Sequence, residues 1–313
     1  MISFRYHIVS IVAVFLALAV GVALGGGPLQ GKADTTLVDQ VATDRQTRTE
    51  LHARISALRS ANSFTDAFAS AEAPRLVDGT LRGHVVSLVV LPGAAQSQVK
   101  GVRSLVQTAG GTLGSTVQVD DRLLDPSGKQ LVDELGTQLE DRASGVSIPD
   151  DASPYERLGG LLARAVGTDK SGGAPVDSTA TSILAGLDTA KLLSATGEAT
   201  RRGDLVLLVA GDGTGQSADE AKGASAIVAT MAEAIDQGTS GVVLAGPLAS
   251  ASSGGLVAGL RAEAATAKDV STVDTLERTA GQVVAVLALA DQAAGRTGHY
   301  GADAADGAAP PIS

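Results

Sequence analysis

The chain has 313 residues and a formal net charge of −10, with 44% hydrophobic and 19% charged side chains. That is enough apolar material for one or two globular domains, and an acidic balance argues against nucleic acid as a general partner. It contains no cysteine, so disulfides, thiolate metal sites and cysteine nucleophiles are excluded.

The first 30 residues read as a membrane anchor. Met1–His7 is a polar lead carrying Arg5, and Ile8 to Leu24 is almost wholly apolar, with Ile8, Val12, Phe15, Leu18 and Leu24 along it. An uncharged run of about 20 residues makes a helix about 30 Å long, which matches a bilayer core. Arg5 precedes the run and Lys32, Asp34 and Asp39 follow it. This slight asymmetry favours a single pass through the cell membrane with the bulk of the chain outside the cytoplasm. The alternative is a cleaved signal peptide, for which Ala23-Leu24-Gly25 offers a small-x-small site.

Gly25-Gly26-Gly27-Pro28 is expected to break the helix, and 32–73 then reads as a stalk. Leu37, Val41, Asp44, Arg48, Leu51, Ile55, Leu58, Asn62 and Thr65 step by four and three alternately, a heptad seam that predicts a homo-oligomeric coiled coil. Asp44 and Arg48 weaken the seam, and a buried Asn62 would fix its register. A single amphipathic helix packed on its own domain is the other reading. Pro74 and Gly79 are expected to close the stalk.

Residues 80–296 alternate strands and helices. His84–Leu91, Thr112–Val119, Asp204–Ala210, Ser240–Gly246 and Val270–Val273 read as strands. Ala95–Ala109, Ser127–Glu140, Tyr155–Val166, Thr179–Leu193, Ala218–Gln237, Gly255–Thr266 and Arg278–Ala294 read as helices. The order predicts an α/β fold, a doubly wound, mostly parallel sheet with helices on both faces. The Gly/Ala/Pro-rich segment 297–313 reads as a disordered tail. Continuous apolar strands and 2% aromatics do not fit a membrane β-barrel.

MISFRYHIVSIVAVFLALAVGVALGGGPLQ at 1–30 closely resembles the opening of the actinobacterial MctB family, called copper transporters or copper transport outer membrane proteins. Val270-Ser-Thr-Val-Asp274, Ala280-Gly-Gln-Val283 and Gly298-His-Tyr-Gly301 are similar to its closing region. The resemblance implies a role in copper efflux or homeostasis, with channel formation in the outer envelope. It also implies a second reading, because the family includes SteB-like scaffolds that partner SteA in cell separation and control of a peptidoglycan hydrolase.

The residues themselves give copper little support. Copper(I) favours thiolate or thioether ligands, and copper(II) favours imidazole. The chain has two methionines, Met1 and Met231, and four histidines, His7, His52, His84 and His299, none within ligand spacing of another. His299, within the shared GHYG motif, is the one metal-ligand candidate. No cofactor is read from the residues; copper enters by resemblance alone.

Gly211-Asp-Gly-Thr-Gly215 follows a strand and precedes a Ser217-x-x-Glu220 helix cap, a weak likeness to a phosphate-cradling turn. Asp212, Gly213 and Gly246 stand at strand C-terminal ends, the rim where doubly wound sheets place ligands. The adjacent acids Asp120-Asp121 and Asp150-Asp151 read as solvated loops, without EF-hand spacing. No nucleophile elbow or other catalytic constellation is found, so the chain is read as a non-enzyme.

Overall fold

A computed structural model describes residues 4–25, 29–146, 148–197, 200–213 and 217–311, with side chains left undescribed at 4 and 29–39. The chain divides into two units, Met1–Thr65 and Asp66–Ser313.

The first unit is helical. It holds α1 (Phe4–Gly25) and most of α2 (Leu29–Val77). Arg5–Gly25 has a mean hydropathy of 2.8, and among the described residues it is the one helix long and apolar enough to cross a membrane. Its apolar side chains, including Ile8, Val12, Phe15, Leu18 and Leu24, are all exposed. A helix apolar on every side has no stable place in water, so this exposure fits a membrane anchor. The expected break at 26–28 falls outside the described residues, as does the Leu37 side chain. Further along α2, Val41, Leu51, Ile55 and Leu58 are exposed hydrophobics, and Asn62 is exposed with them.

The second unit begins with the last turns of α2. The helix does not stop at Pro74 but continues to Val77. Ala73 and Val77 are buried in the core, which holds the backbone helical across the proline. Asp66 pairs with Arg278 at 3.2 Å, and Ser70 Oγ donates to Thr279 Oγ1 at 3.2 Å.

In chain order the remaining elements are β1 (Val85–Val90), α3 (Gln96–Thr108), β2 (Thr112–Val119), α4 (Asp121–Leu124), α5 (Lys129–Glu140), α6 (Pro154–Val166), β3 (Ala174–Pro175) and α7 (Ser178–Thr189). There follow β4 (Leu193–Ala195), β5 (Arg201–Arg202), β6 (Leu205–Val209), α8 (Ala218–Asp236), β7 (Gly241–Ala245), α9 (Leu256–Ala262), α10 (Ala264–Ala267), β8 (Ser271–Val273), α11 (Thr279–Ala293) and β9 (His299–Tyr300). The sheet order is β4-β2-β1-β6-β7-β8-β9. Every pair in it is parallel except β2 with β4.

The central strands are apolar on both faces because both faces are covered. Leu205, Leu207 and Val209 of β6 face one core with α3 and α11, whereas Val206 and Leu208 face another with α6 and α8. The mostly parallel, doubly wound reading therefore holds.

Two expectations are corrected. The helix read as Thr179–Leu193 ends at Thr189, and Leu193 starts the antiparallel edge strand β4. The turn between them uses Lys191 at φ 55°, a left-handed residue that is not glycine and leaves no mark in the sequence. The segment from 297 is not a disordered tail in its described part. His299–Tyr300 is the last strand of the sheet, in register with Thr272 and Val273.

Asp236, at the end of α8, is half-buried. Burial, then the nearby Asp269 carboxylate, pushes its pKa up to about 6. An acid raised in the folded state binds a proton more tightly there than in the unfolded chain. Stability is thus lost as pH rises from about 4 through about 6. Asp236→Asn, whose side-chain oxygen still accepts from Val242, is expected to stabilise the protein by about 1–2 kcal/mol at pH 7 and by nothing at pH 3.5. Urea unfolding at the two pH values checks this.

Candidate functional site

The three motifs shared with the family's closing region are far apart in sequence but meet in the fold. Asp274, the last residue of the first motif, is fully buried just beyond β8. Its Oδ2 accepts from Arg261 Nη1 at 2.9 Å and from the Asp303 amide at 3.1 Å, and its Oδ1 accepts from the Ala302 amide at 2.7 Å. Arg261, on α9, also donates to the carbonyls of Asp303 and Tyr300 and to Thr272 Oγ1. One buried ion pair therefore straps the chain after β9 onto β8 and α9. Gly301, at φ 135°, lies against the Asp274 carboxylate where a side chain has no room. In the second motif, Gly281 lies against the Thr275 carbonyl in the same way, and Gln282 donates to the Leu276 carbonyl at 3.2 Å.

His299 belongs to this cluster. Its Nδ1 is 3.0 Å from Thr272 Oγ1, and its amide donates to Asp306 Oδ2 at 2.7 Å. Burial and the Arg261 charge lower its pKa, so the imidazole is neutral at pH 7. A neutral imidazole can ligate metal, but the guanidinium that keeps it neutral also repels a cation. Among the described residues, no three of His, Asp and Glu gather into a group able to hold a metal ion. Met231 is buried in the core against α6 and cannot present its sulfur. His84 Nδ1 is 2.6 Å from the carboxylate of the fully buried Asp204, at the start of β1. The second Asp204 oxygen accepts from the Val85 amide at 2.6 Å. That pair ties β1 to the residue before β6, and sequence spacing could not reveal it because 119 residues intervene. The described side chains of one chain therefore do not fit a resident copper site.

The predicted rim lies at the carboxyl ends of the central strands. The strand order reverses between β1 and β6, which is where doubly wound sheets usually open a ligand crevice. At that point the two loops are in close contact: Gly211 packs directly on Pro92 and Gly93, leaving no space for even a Cβ. Gly246 packs on Ser250 and Ala210. Asp212 and Gly213 line a groove of about 930 Å³ beside this contact, with Ser217 at the start of α8 and Ser252–Gly255 opposite. Residues 214–216 of the GDGTG turn lie outside the described residues. Ser217 and Glu220 form the expected reciprocal cap of α8. Asp212 and Gly213 thus share one groove, whereas Gly246, packed on Ser250 and Ala210, does not line it.

Comparison with known proteins agrees with this end-to-end pattern. The family model described as "Copper transport outer membrane protein, MctB" matches residues 1–311. The chain is 31% identical over 311 residues to the copper transporter MctB of Mycobacterium tuberculosis and to that of Mycobacterium bovis, covering 96% of each chain. It is 29% identical over 332 residues to the copper transporter MctB of Mycobacterium leprae, again over 96% of both. With the apolar N-terminal helix, the doubly wound domain and the clustered closing motifs all falling inside that match, the chain belongs to the MctB copper transport outer membrane protein family.

Proposed function

We propose that this protein acts in copper efflux or homeostasis as a non-enzymatic assembly. It is held to the membrane by α1 as a single pass, its α/β domain lies outside the cytoplasm, and copies join through α2. The observation that carries this reading is the row Val41, Leu51, Ile55 and Leu58, exposed at heptad spacing along α2. An apolar seam of 3.5-residue period is stable in water only when another helix fills it. The relatives named as copper transporters supply the process. In this reading copper is cargo of the assembly and not a bound cofactor.

The test pairs a cellular and a molecular measurement. Deletion is expected to sensitise cells to copper, while the purified full chain in detergent binds less than one equivalent of copper tightly in calorimetry. Cells that separate abnormally but tolerate copper as well as the parent would instead match the SteB-like scaffold that partners SteA, and would overturn the copper reading.

A further inference from the structure

A second cleft, of about 620 Å³, lies at the opposite end of the strands from the rim. It is bounded by the C-terminal ends of α6 and α8, and Gly167 bridges to Gly203 just before β6. Three cations (Arg164, Lys170 and Arg202) and two acids (Asp169 and Asp177) line it. This is a local excess of positive charge in a chain whose net charge is −10.

The donors divide into used and unused. Arg202 is structural: its Nη1 donates to the Arg164 and Gly167 carbonyls at 3.1 and 3.4 Å, closing the end of α6. Asp177 accepts from Arg164 Nη2 at 2.7 Å and lies 3.7 Å from Arg202 Nη2, so one carboxylate serves two guanidinium groups. Arg164 Nε donates to the Ser144 carbonyl at 3.0 Å. Arg164 Nη1, although buried, has no acceptor among the described residues. A charged donor without an acceptor in a low-dielectric setting is strongly unfavourable, and an anion relieves it. Burial and the Arg164 charge also lower the pKa of Arg202, as expected where two guanidinium groups face each other with too little negative charge between them.

We propose that this cleft is an oxoanion site, in which Arg164 and Lys170 hold a phosphate or carboxylate group of a small polar ligand. The inference is independent of the copper reading and of α2. Arg164 Nη1 can donate to one oxygen of either group once its side chain turns toward the cleft, and Lys170 adds a flexible point charge at the mouth. Thr168, its hydroxyl already accepting from the Lys170 amide at 3.2 Å, has a proton left to donate.

The test is calorimetric titration of the full chain in detergent with inorganic phosphate and, separately, with succinate. Sodium chloride at equal ionic strength is the reference. Saturable binding with a dissociation constant on the order of 1 mM is expected for at least one of them. Binding of phosphate alone assigns a phosphorylated ligand, and binding of succinate alone a carboxylate. Arg164→Gln is expected to abolish saturation. Lys170→Ala, which removes an exposed side chain and leaves the fold intact, should weaken binding about 5-fold. Heats equal to those of chloride for both anions, or unchanged binding in Lys170→Ala and Arg164→Gln alike, would overturn the assignment.

Discussion

Replacing Asp274 by alanine is expected to lower the stability of the α/β domain by about 3–5 kcal/mol. The carboxylate is fully buried and accepts three hydrogen bonds, from Arg261 and from the amides of Ala302 and Asp303. Its removal leaves a mostly buried guanidinium without its countercharge and two amides without an acceptor. Asp274→Asn keeps the size and one acceptor oxygen, so a smaller loss of about 1–3 kcal/mol is expected. Urea unfolding followed by far-ultraviolet circular dichroism measures both. A loss below about 1 kcal/mol for the alanine variant would show that the strap does not hold the sheet edge. The variant should also free Tyr300, which is buried on β9 and whose hydroxyl is 3.4 Å from Asp291. The chain has no tryptophan and three tyrosines, Tyr6, Tyr155 and Tyr300, so tyrosine emission measured with Tyr6 and Tyr155 both replaced by phenylalanine reads release of this strand.

The second large effect is on assembly. Substituting Leu51, Ile55 and Leu58 together by serine is expected to raise the dissociation constant of the oligomer by at least about 1,000-fold, because each buried aliphatic side chain contributes about 1.5–3 kcal/mol to a filled seam. Sedimentation of the full chain in detergent should show an assembly for the natural sequence and a single copy for the variant. The thermal transition of the α/β domain should be the same in both, since these three side chains are exposed and outside its core. A natural chain that sediments as one copy at micromolar concentration would remove the basis for the seam.

The sequence made the central architecture legible because its signals there are local. The continuous apolar runs Val85–Val90 and Leu205–Val209 could only be strands covered on both faces, and the Ser217/Glu220 cap marked the start of α8 to the residue. What escaped has non-local causes. β9 is two residues long in a Gly- and Ala-rich stretch, and it is held by Asp274 and Arg261, which lie 25 and more residues earlier. Composition sees only the tail and not its partner. β4 was hidden because α7 stops without a glycine. At the rim, the close packing of Gly211 on Gly93 joins positions 118 apart, which no spacing rule anticipates. Arg164 and Arg202 escaped for the same reason: their shared cleft exists only once Gly167 reaches Gly203.

The strap at Asp274 also bears on how the molecule is made. Because β9 follows every other strand of this sheet in chain order, synthesis must pass Tyr300 before the sheet can be completed. Until then β8 has an open edge able to pair with the wrong strand. Chains cut before His299 are therefore the forms most prone to aggregate, while additions at a loop such as Gly145 leave that step undisturbed.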